Sequence, residues 1–326
     1  MSFRFGVGST FLAFLMCFLL SACGEATDST QVALEDHFLE LPDGNVMHYY
    51  EEGNQQGKTL LMVHGYPASA YLYRYLIQDL CGTHDSAYRC IAMTHIGFGK
   101  SSCPGDGAMV SPLYEVDQLE QFIQAMQLDQ FAIIVHDWGG PIGTAASLRV
   151  SEKMTHMVLL NTVLSMPESG ILHWASIVTG DYFSQPRPIL ESLYPTLIRG
   201  LMQWLTNVRL SERDLAVYSG PFEGDSGGCR VHATVNLFSK MKADEALFSE
   251  IETGLRTSWA GKPALFIWAP EDPVLGLDSE LGEASFRRGQ ALLPAATTYL
   301  VEEASHFLQE DQPREISREI HRFLSN

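Results

Sequence analysis

Short apolar segments alternate with segments of helical periodicity along most of the chain. Val116 to Met126 carries apolar residues at helical spacing, while the shorter runs are apolar throughout, as in strands buried on both faces. The turn Pro42-Asp43-Gly44 separates two alternating segments and predicts a hairpin. The predicted strands are Phe38–Leu41, Val46–Glu51, Leu60–Val63, Arg89–Met93, Phe131–Val135, Met157–Leu160, Ala264–Trp268 and Thr298–Val301, and the predicted helices are Tyr71–Leu80, Val116–Met126, Ala145–Val150 and Ile316–Leu324. This alternation predicts an α/β protein with a mostly parallel sheet and helices on both faces.

Residues 162–245 interrupt this alternation. The segment is rich in aromatic residues and contains prolines at 167, 186, 188, 195 and 221, and it is too long and too apolar for a loop. We therefore expect a helical cap at 162–245, inserted into a core formed by residues 36–161 and 246–326.

The N-terminus resembles a bacterial lipoprotein signal. Arg4 precedes the apolar run from Phe11 to Leu20, which is shorter than the roughly 20 residues needed to span a bilayer. The following Leu20-Ser21-Ala22-Cys23 resembles a lipobox, in which the cysteine becomes the acylated first residue. We expect residues 1–22 to be a signal peptide and 23–35 a lipidated tether, with the folded body outside the cytoplasm at the bacterial cell envelope. The alternative is a secretory signal without lipidation.

Four cysteines remain after Cys17 and Cys23 are set aside. Export implies an oxidising compartment, in which cysteines form disulfides. Cys81 and Cys90 bracket a short polar loop, so we predict that they pair. Cys103 and Cys229 either form a second disulfide or remain small buried thiols.

The chain is strongly acidic. Lys and Arg total 21 against 39 Asp and Glu, and the formal net charge is -18. Such a surface repels phosphate backbones, so nucleic acid is excluded as a partner.

A candidate nucleophile lies in the segment Val135 to Pro141. There a predicted strand runs into a glycine-rich turn and then a helix, the context of a nucleophile elbow, with Asp137 at its tip. A carboxylate in this place can displace a leaving group from a saturated carbon and become an alkyl ester. The alternative is that Asp137 only caps the following helix.

Other polar motifs also follow predicted strands. His64-Gly65-Tyr66-Pro67 and a glycine-rich segment, Thr94 to Ser101, lie upstream of the elbow. Asp272 and His306 follow the last two strands, so the order is Asp, Asp, His, as in the α/β-hydrolase triad.

At these motifs the chain resembles the haloalkane dehalogenase family of α/β-hydrolases, over roughly residues 36 to 325. The resemblance rests on His64-Gly65-Tyr66-Pro67, Tyr71-Leu72-Tyr73-Arg74, Asp137-Trp138-Gly139-Gly140-Pro141, Leu160-Asn161-Thr162 and His306-Phe307-Leu308-Gln309-Glu310. Epoxide hydrolases are near relatives that share the elbow and the triad order.

The resemblance implies a role for each site residue. Asp137 would attack the carbon that bears the halogen, and the backbone N–H groups of Trp138 and Tyr66 would hold the oxyanion formed when water attacks the ester. His306 would deprotonate that water, and Asp272 would orient His306. Glu271 is the alternative acid.

Halide release requires N–H donors. The Trp138 indole supplies one, whereas relatives take a second from an Asn at the position of Tyr66 or from a cap tryptophan. Trp174 and Trp204 are the cap candidates, although their sequence context favours a core-packing role for each over a halide role. The implied substrates are small halogenated aliphatic molecules and water, with no cofactor and no metal.

Two other functions remain open. An epoxide hydrolase would use the same triad with hydroxyl donors among Tyr182, Tyr194 and Tyr218. A non-catalytic, lipid-anchored protein of hydrolase fold is the other alternative. A serine esterase is disfavoured because the sequence contains no Gly-x-Ser-x-Gly elbow.

Overall fold

The structure is a computed structural model and describes residues 32–83, 85–105, 107–165, 187–240 and 245–325. The predicted signal peptide, the lipidation site Cys23 and the aromatic residues Trp174 and Tyr182 lie outside the described residues. No helix in the described ranges is long and apolar enough to cross a membrane.

Eight strands form one sheet. They are β1 (Asp36–Glu40), β2 (Val46–Gly53), β3 (Lys58–Val63), β4 (Tyr88–Met93), β5 (Phe131–Asp137), β6 (Met154–Thr162), β7 (Ala264–Trp268) and β8 (Thr297–Leu300). Their spatial order is β1-β2-β4-β3-β5-β6-β7-β8, with antiparallel pairing at β1–β2 and β2–β4 and parallel pairing elsewhere. The predicted mostly parallel sheet is confirmed.

The helices occupy the connections between strands. They are α1 (Arg74–Cys81), α2 (Pro112–Ala125), α3 (Gly139–Arg149), α4 (Arg187–Trp204), α5 (Glu212–Ser219), α6 (Gly224–Lys240), α7 (Glu245–Arg256), α8 (Glu280–Leu292), α9 (Leu308–Asp311) and α10 (Pro313–Leu324). Short 3-10 turns precede α1 and follow α5.

Three helices, α2, α3 and α10, begin earlier than their apolar periodicity indicated. The Ser111 side chain accepts a hydrogen bond from the Tyr114 N–H, and Pro112 occupies the first turn, so α2 starts four residues before Val116. Helix α3 begins directly after the elbow, at Gly139 rather than at Ala145. The prediction missed this start because the first turns consist mainly of small residues, which show no apolar periodicity.

The central strands are buried on both faces. Val63 and Ile133 contribute to the core on one face of the sheet, and Met62 and Ile134 to the core on the other. Continuous apolar runs are required here because each strand face packs against a helix layer.

Helices α4 to α6 lie between β6 and β7, within the segment expected to form the cap. A disulfide between Cys103 and Cys229 joins α6 to the loop after β4, and Arg230 donates from Nε to the Gly99 carbonyl at 2.9 Å.

Helix α7 lies against α3 so closely that a Cβ at Gly254 would come within 2.8 Å of Leu148 Cδ1.

Both disulfides that the sequence analysis considered are present in the structure. The predicted Cys81–Cys90 pair is confirmed, with Cα atoms 6.1 Å apart. The sequence left Cys103 and Cys229 open, and the structure joins them across 126 residues, with Cα atoms 6.2 Å apart.

Candidate active site

The polar motifs meet where the parallel strands end. Tyr66 follows β3, Asp137 ends β5, Asn161 lies near the end of β6, and Asp272 follows β7. His306 follows β8. Because neighbouring parallel strands end at one edge of the sheet, residues far apart in the sequence come within hydrogen-bonding distance.

The elbow holds Asp137 in a left-handed backbone conformation, with φ of 48°. The turn needs glycine around it: a Cβ at Gly65 would lie 2.4 Å from Asp137 Oδ2, and one at Gly139 would lie 2.2 Å from the Val63 carbonyl oxygen. The helix-capping alternative for Asp137 is wrong, because the N-cap residue of α3 is Trp138 and it makes no side-chain capping bond.

The Asp137 carboxylate lies between a backbone donor and an imidazole. Oδ2 accepts a hydrogen bond from the Tyr66 N–H at 3.0 Å, and Oδ1 lies 3.6 Å from His306 Nε2. Thr162 donates from its hydroxyl to the Asp137 backbone carbonyl at 2.5 Å, which ties the elbow to the end of β6. The carboxylate is thus oriented from both sides, and its side chain remains 13% exposed.

His306 bridges the two carboxylates. Its Nδ1 donates to Asp272 Oδ2 at 2.8 Å, and its backbone carbonyl accepts from His136 Nε2 at 2.8 Å. Burial by itself lowers the pKa of His306, but the charges and hydrogen bonds of Asp272 and Asp137 outweigh burial and raise it to about 10. The two acidic side chains therefore stabilise the protonated form of His306.

Asp272 is the acid that contacts His306, and it is buried. Its Oδ2 accepts from the Asn161 amide at 2.6 Å, and its Oδ1 accepts from the Val274 N–H at 2.6 Å. Burial raises the pKa of Asp272, but the His306 charge and these hydrogen bonds together lower it below its ordinary value. Glu271, the alternative acid, has an exposed side chain.

The two predicted oxyanion and halide residues lie beside Asp137, the candidate nucleophile. Trp138 follows Asp137 and is buried. Tyr66 presents its N–H to Asp137, and its ring packs on His95 and Phe98 with centroids 5.6 and 4.4 Å away. The Tyr66 hydroxyl is buried and has no hydrogen-bond partner among the described residues.

The structure does not support a halide or a packing role for Trp204. Its side chain is 40% exposed at the end of α4, whereas a halide donor acts in a site from which water is excluded. Trp174, the other candidate, lies outside the described residues.

An epoxide hydrolase would need hydroxyl donors from the cap tyrosines, and the two that the structure describes are both buried. Tyr218 is buried, and its hydroxyl donates to Glu310. Tyr194 is buried against Phe222, with ring centroids 5.1 Å apart. Tyr182 lies outside the described residues.

Two residues that hold Asp272 and His306 in place were given no role from the sequence. Asn161 holds Asp272, and His136 holds the backbone of His306. Each is a polar residue at the end of an otherwise apolar strand, and that signal was available. In the described part of the chain, no group of three or more His, Cys, Asp or Glu side chains is arranged to hold a metal ion.

Comparison with known proteins identifies the family to which the chain belongs. A family model described as the alpha/beta hydrolase fold matches residues 58–313. A haloalkane dehalogenase of Mycolicibacterium paratuberculosis is 30% identical over 309 residues, covering 90% of this chain and 95% of that protein. A cis-3-alkyl-4-alkyloxetan-2-one decarboxylase of Xanthomonas campestris is 27% identical over 297 residues, covering 88% and 94%.

More distant relatives agree with this placement. Epoxide hydrolase 3 of Xenopus tropicalis is 22% identical over 301 residues, covering 88% of this chain and 77% of that protein. A crystal structure of a variant of haloalkane dehalogenase DatA from Agrobacterium tumefaciens has a TM-score of 0.73 at 21% identity, covering 90% and 97% of the two chains. The chain belongs to the α/β-hydrolase fold family, and haloalkane dehalogenases and epoxide hydrolases are among its relatives.

Proposed function

We propose that this protein is a haloalkane dehalogenase that cleaves carbon–halogen bonds through an alkyl ester on Asp137. The observation that carries the proposal is the carboxylate at the elbow, held by the Tyr66 N–H on one side and facing His306 Nε2 on the other. A carboxylate nucleophile suits displacement at a saturated carbon, whereas a serine in this place suits acyl transfer.

The first step is displacement of the halide. Asp137 Oδ1 or Oδ2 attacks the carbon, the carbon–halogen bond breaks with its electron pair on the halide, and the carboxylate becomes a neutral ester. The Trp138 indole N–H is the proposed halide donor, and burial of Trp138 keeps that donor largely away from water.

The second step is hydrolysis of the ester. Alkylation removes the negative charge of Asp137, which is one of the causes that raise the pKa of His306. The pKa of His306 therefore falls in the intermediate, so His306 releases its proton to solvent and the neutral imidazole can accept a proton from water. The water oxygen bonds to the ester carbonyl carbon, Asp272 stabilises the imidazolium, and the Tyr66 and Trp138 N–H groups hold the oxyanion. The carbon–oxygen bond to the alkyl group's oxygen then breaks, the alcohol leaves with the proton from His306, and the Asp137 carboxylate is restored.

Epoxide hydrolysis is the second candidate, and one observation favours it. Relatives hold halide with an Asn where this chain has Tyr66, whose hydroxyl is buried without a partner among the described residues. A phenol O–H can donate a hydrogen bond to the epoxide oxygen as the ring opens. The Tyr218 hydroxyl, in contrast, already donates to Glu310.

The test is a substrate panel with the purified residues 24–326. Halide release from 1,2-dibromoethane and 1-bromobutane is expected, with little diol from styrene oxide and no carbon dioxide from a cis-3,4-dialkyloxetan-2-one. Faster turnover of the epoxide or the oxetanone than of both bromides would overturn the proposed substrate class.

A trapped intermediate tests the chemistry itself. The variant His306→Gln should release about one halide per enzyme and then stop, because displacement by a carboxylate needs no general base while ester hydrolysis needs one. Intact-mass spectrometry should find the added alkyl group on the peptide that contains Asp137. The matched double variant with Asp137→Asn should show neither the burst nor the mass increase, and an adduct elsewhere would identify a different nucleophile.

A further inference from the structure

A buried polar chain lies beneath the loop that presents the Tyr66 N–H, and the proposed mechanism does not use it. It consists of His64 at the end of β3, His95 after β4 and Glu115 in the first turn of α2. All three side chains are fully buried. His95 belongs to the glycine-rich segment Thr94 to Ser101, to which the sequence assigned no role.

The hydrogen bonds define the state of His64. Its Nδ1 donates to the Gly65 carbonyl at 2.6 Å, and its Nε2 accepts from the His95 backbone N–H at 3.1 Å. A ring nitrogen that accepts carries no proton. His64 is therefore neutral, and burial together with the neighbouring His95 holds its pKa well below the ordinary value.

The hydrogen bonds also constrain His95. Its Nε2 lies 3.0 Å from the His64 carbonyl, which can only accept, so Nε2 carries a proton. Its Nδ1 lies 3.1 Å from Glu115 Oε2, which also accepts from the Ile96 N–H at 3.2 Å. One further proton must therefore lie between Nδ1 and Oε2.

The surroundings of Glu115 decide where that proton belongs. Its second oxygen, Oε1, is buried with no hydrogen-bond partner among the described residues. An ionised carboxylate would leave half of its charge on this unpaired buried oxygen, which is costly, whereas a neutral acid leaves only a carbonyl there. Burial likewise raises the pKa of Glu115, against the opposing hydrogen bond and charge of His95.

His95 in turn touches the catalytic loop in two ways. Nε2 holds the His64 carbonyl, and the ring lies against the Tyr66 ring with an interplanar angle of 20°. The Tyr66 N–H, 3.0 Å from Asp137 Oδ2, belongs to this same short loop. The side chain of Glu115 is thus connected to the nucleophile through His95 and Tyr66.

We infer that Glu115 and His95 are positioning residues: protonated Glu115 donates to His95 Nδ1, which fixes the tautomer that holds the His64 carbonyl and aims the Tyr66 N–H at Asp137. The kinetic consequence rests on the proposed function. Only ester hydrolysis creates an oxyanion on the former Asp137 carboxyl group, and the Tyr66 N–H stabilises that oxyanion. Displacement of the Tyr66 N–H therefore slows hydrolysis more than alkylation.

The kinetic test compares Glu115→Leu, Glu115→Gln and wild type in rapid-quench assays with 1,2-dibromoethane. In Glu115→Leu the halide burst should keep its rate, while ester hydrolysis slows by roughly ten- to a hundredfold and the alkyl-enzyme accumulates. Glu115→Gln should slow ester hydrolysis clearly less than Glu115→Leu, because its amide N–H can replace the donor to His95 Nδ1 although the same nitrogen cannot accept from the Ile96 N–H.

A matched control separates positioning from loss of stability. Val116→Ala changes the next residue of α2, which is fully buried in the core. It should lower the melting temperature without changing the ratio of the two steps. An equal slowing of both steps in Glu115→Leu, or the same altered ratio in Val116→Ala, would overturn the inference.

A second readout does not depend on the activity. Long-range proton–nitrogen spectra of protein labelled with nitrogen-15 histidine, with His95 assigned by comparison with His95→Gln, report which ring nitrogens carry protons. A neutral ring protonated at Nε2 is expected at neutral pH. An imidazolium would overturn the inference even if the protein proves to act on another substrate, whereas the neutral ring without any halide release would contradict the proposed function alone.

Discussion

Asn161 shows how much one residue contributes at this site. Its amide donates to Asp272 Oδ2 at 2.6 Å and to the Ala269 carbonyl at 3.3 Å, and its side-chain oxygen accepts from the Ala269 N–H at 2.8 Å. Its φ of 28° lies in the left-handed region, which asparagine tolerates better than most residues. The residue thereby joins the end of β6 to the loop that carries Asp272, the proposed catalytic acid.

We predict that Asn161→Ala weakens both catalysis and stability. Asp272 loses a donor to its carboxylate, so its pKa should rise and it should hold the His306 cation less well. Ester hydrolysis should slow by about tenfold, well short of the loss expected from removing the acid itself. The free energy of unfolding should fall by about 1–3 kcal/mol because buried partners lose their hydrogen bonds. Single-turnover kinetics and urea unfolding measure the two effects, and unchanged hydrolysis would show that Asp272 does not need this donor.

His306 gives a prediction about stability and pH. Its pKa is raised from 6.5 to about 10 in the folded protein, so the folded state holds a proton that the unfolded state releases in this range. The stabilisation is fully present below about pH 6.5 and is lost as the pH rises toward 10. Urea unfolding across this window measures the free energy of unfolding of wild type and of His306→Gln. The difference between the two should become smaller as the pH increases. A constant difference would mean that His306 is neutral in the resting enzyme.

At the scale of secondary-structure elements, a buried ionic cluster connects the segment expected to form the cap with the catalytic core. Arg74 of α1 contacts Glu310 of α9 at 2.5 and 2.8 Å and Asp214 of α5 at 3.2 Å. The hydroxyls of Tyr71 and Tyr218 donate to Asp214 and Glu310. The cluster therefore joins α5 to α1 and to the helix that follows His306.

We predict that Arg74→Met is strongly destabilising. The substitution leaves two carboxylates facing each other without their cation, and breaking a buried ion pair on one side costs about 3–5 kcal/mol. The matched control is Arg149→Met, since Arg149 bridges Asp117, Glu120 and Glu250 at the surface. That control should cost no more than about 1 kcal/mol. Similar losses of unfolding free energy in the two variants would contradict the assignment of the inner cluster as a structural link.

The two disulfides should contribute unequally to stability. Cys81–Cys90 closes 9 residues, whereas Cys103–Cys229 closes 126 and ties α6 to the loop after β4. The chain-entropy model gives about 2.5 kcal/mol for the short loop and about 5 kcal/mol for the long one. Paired Cys→Ser variants compared by urea unfolding should therefore lose more stability when Cys103 and Cys229 are replaced, and the opposite order would point to residual structure in the unfolded chain.

At the scale of the whole molecule, the acidic composition and the predicted N-terminal signal together bear on location. The net charge of -18 gives no electrostatic attraction to anionic lipid headgroups, so membrane attachment would depend on acyl chains. We expect Cys23→Ser to abolish acylation and to leave the protein unprocessed or in the soluble fraction. Mass spectrometry of the mature N-terminus with membrane fractionation tests this, and a wild-type mature protein that begins elsewhere or carries no lipid would refute it.

The sequence by itself determined the order of the elements and the positions of the candidate triad. Apolar periodicity specifies which face of each segment is buried, and a glycine-rich turn after a strand specifies an elbow, so these features follow from neighbouring residues. The mostly parallel sheet and the Cys81–Cys90 pair were predicted on this basis and confirmed. The starts of α2, α3 and α10 were less accurate, because capping residues, prolines and small residues form first turns that lie outside the apolar repeat.

Only the tertiary structure decided which distant side chains meet. Asp272 rather than Glu271 contacts His306, Arg74 meets a carboxylate 236 residues away, and Cys103 reaches Cys229. The exposure of Trp204 and the contact between His95 and Glu115 also had no local signal. The physical reason is that local propensities act over a few residues, whereas these contacts depend on strand order and helix packing, which place remote segments within a few ångströms of one another.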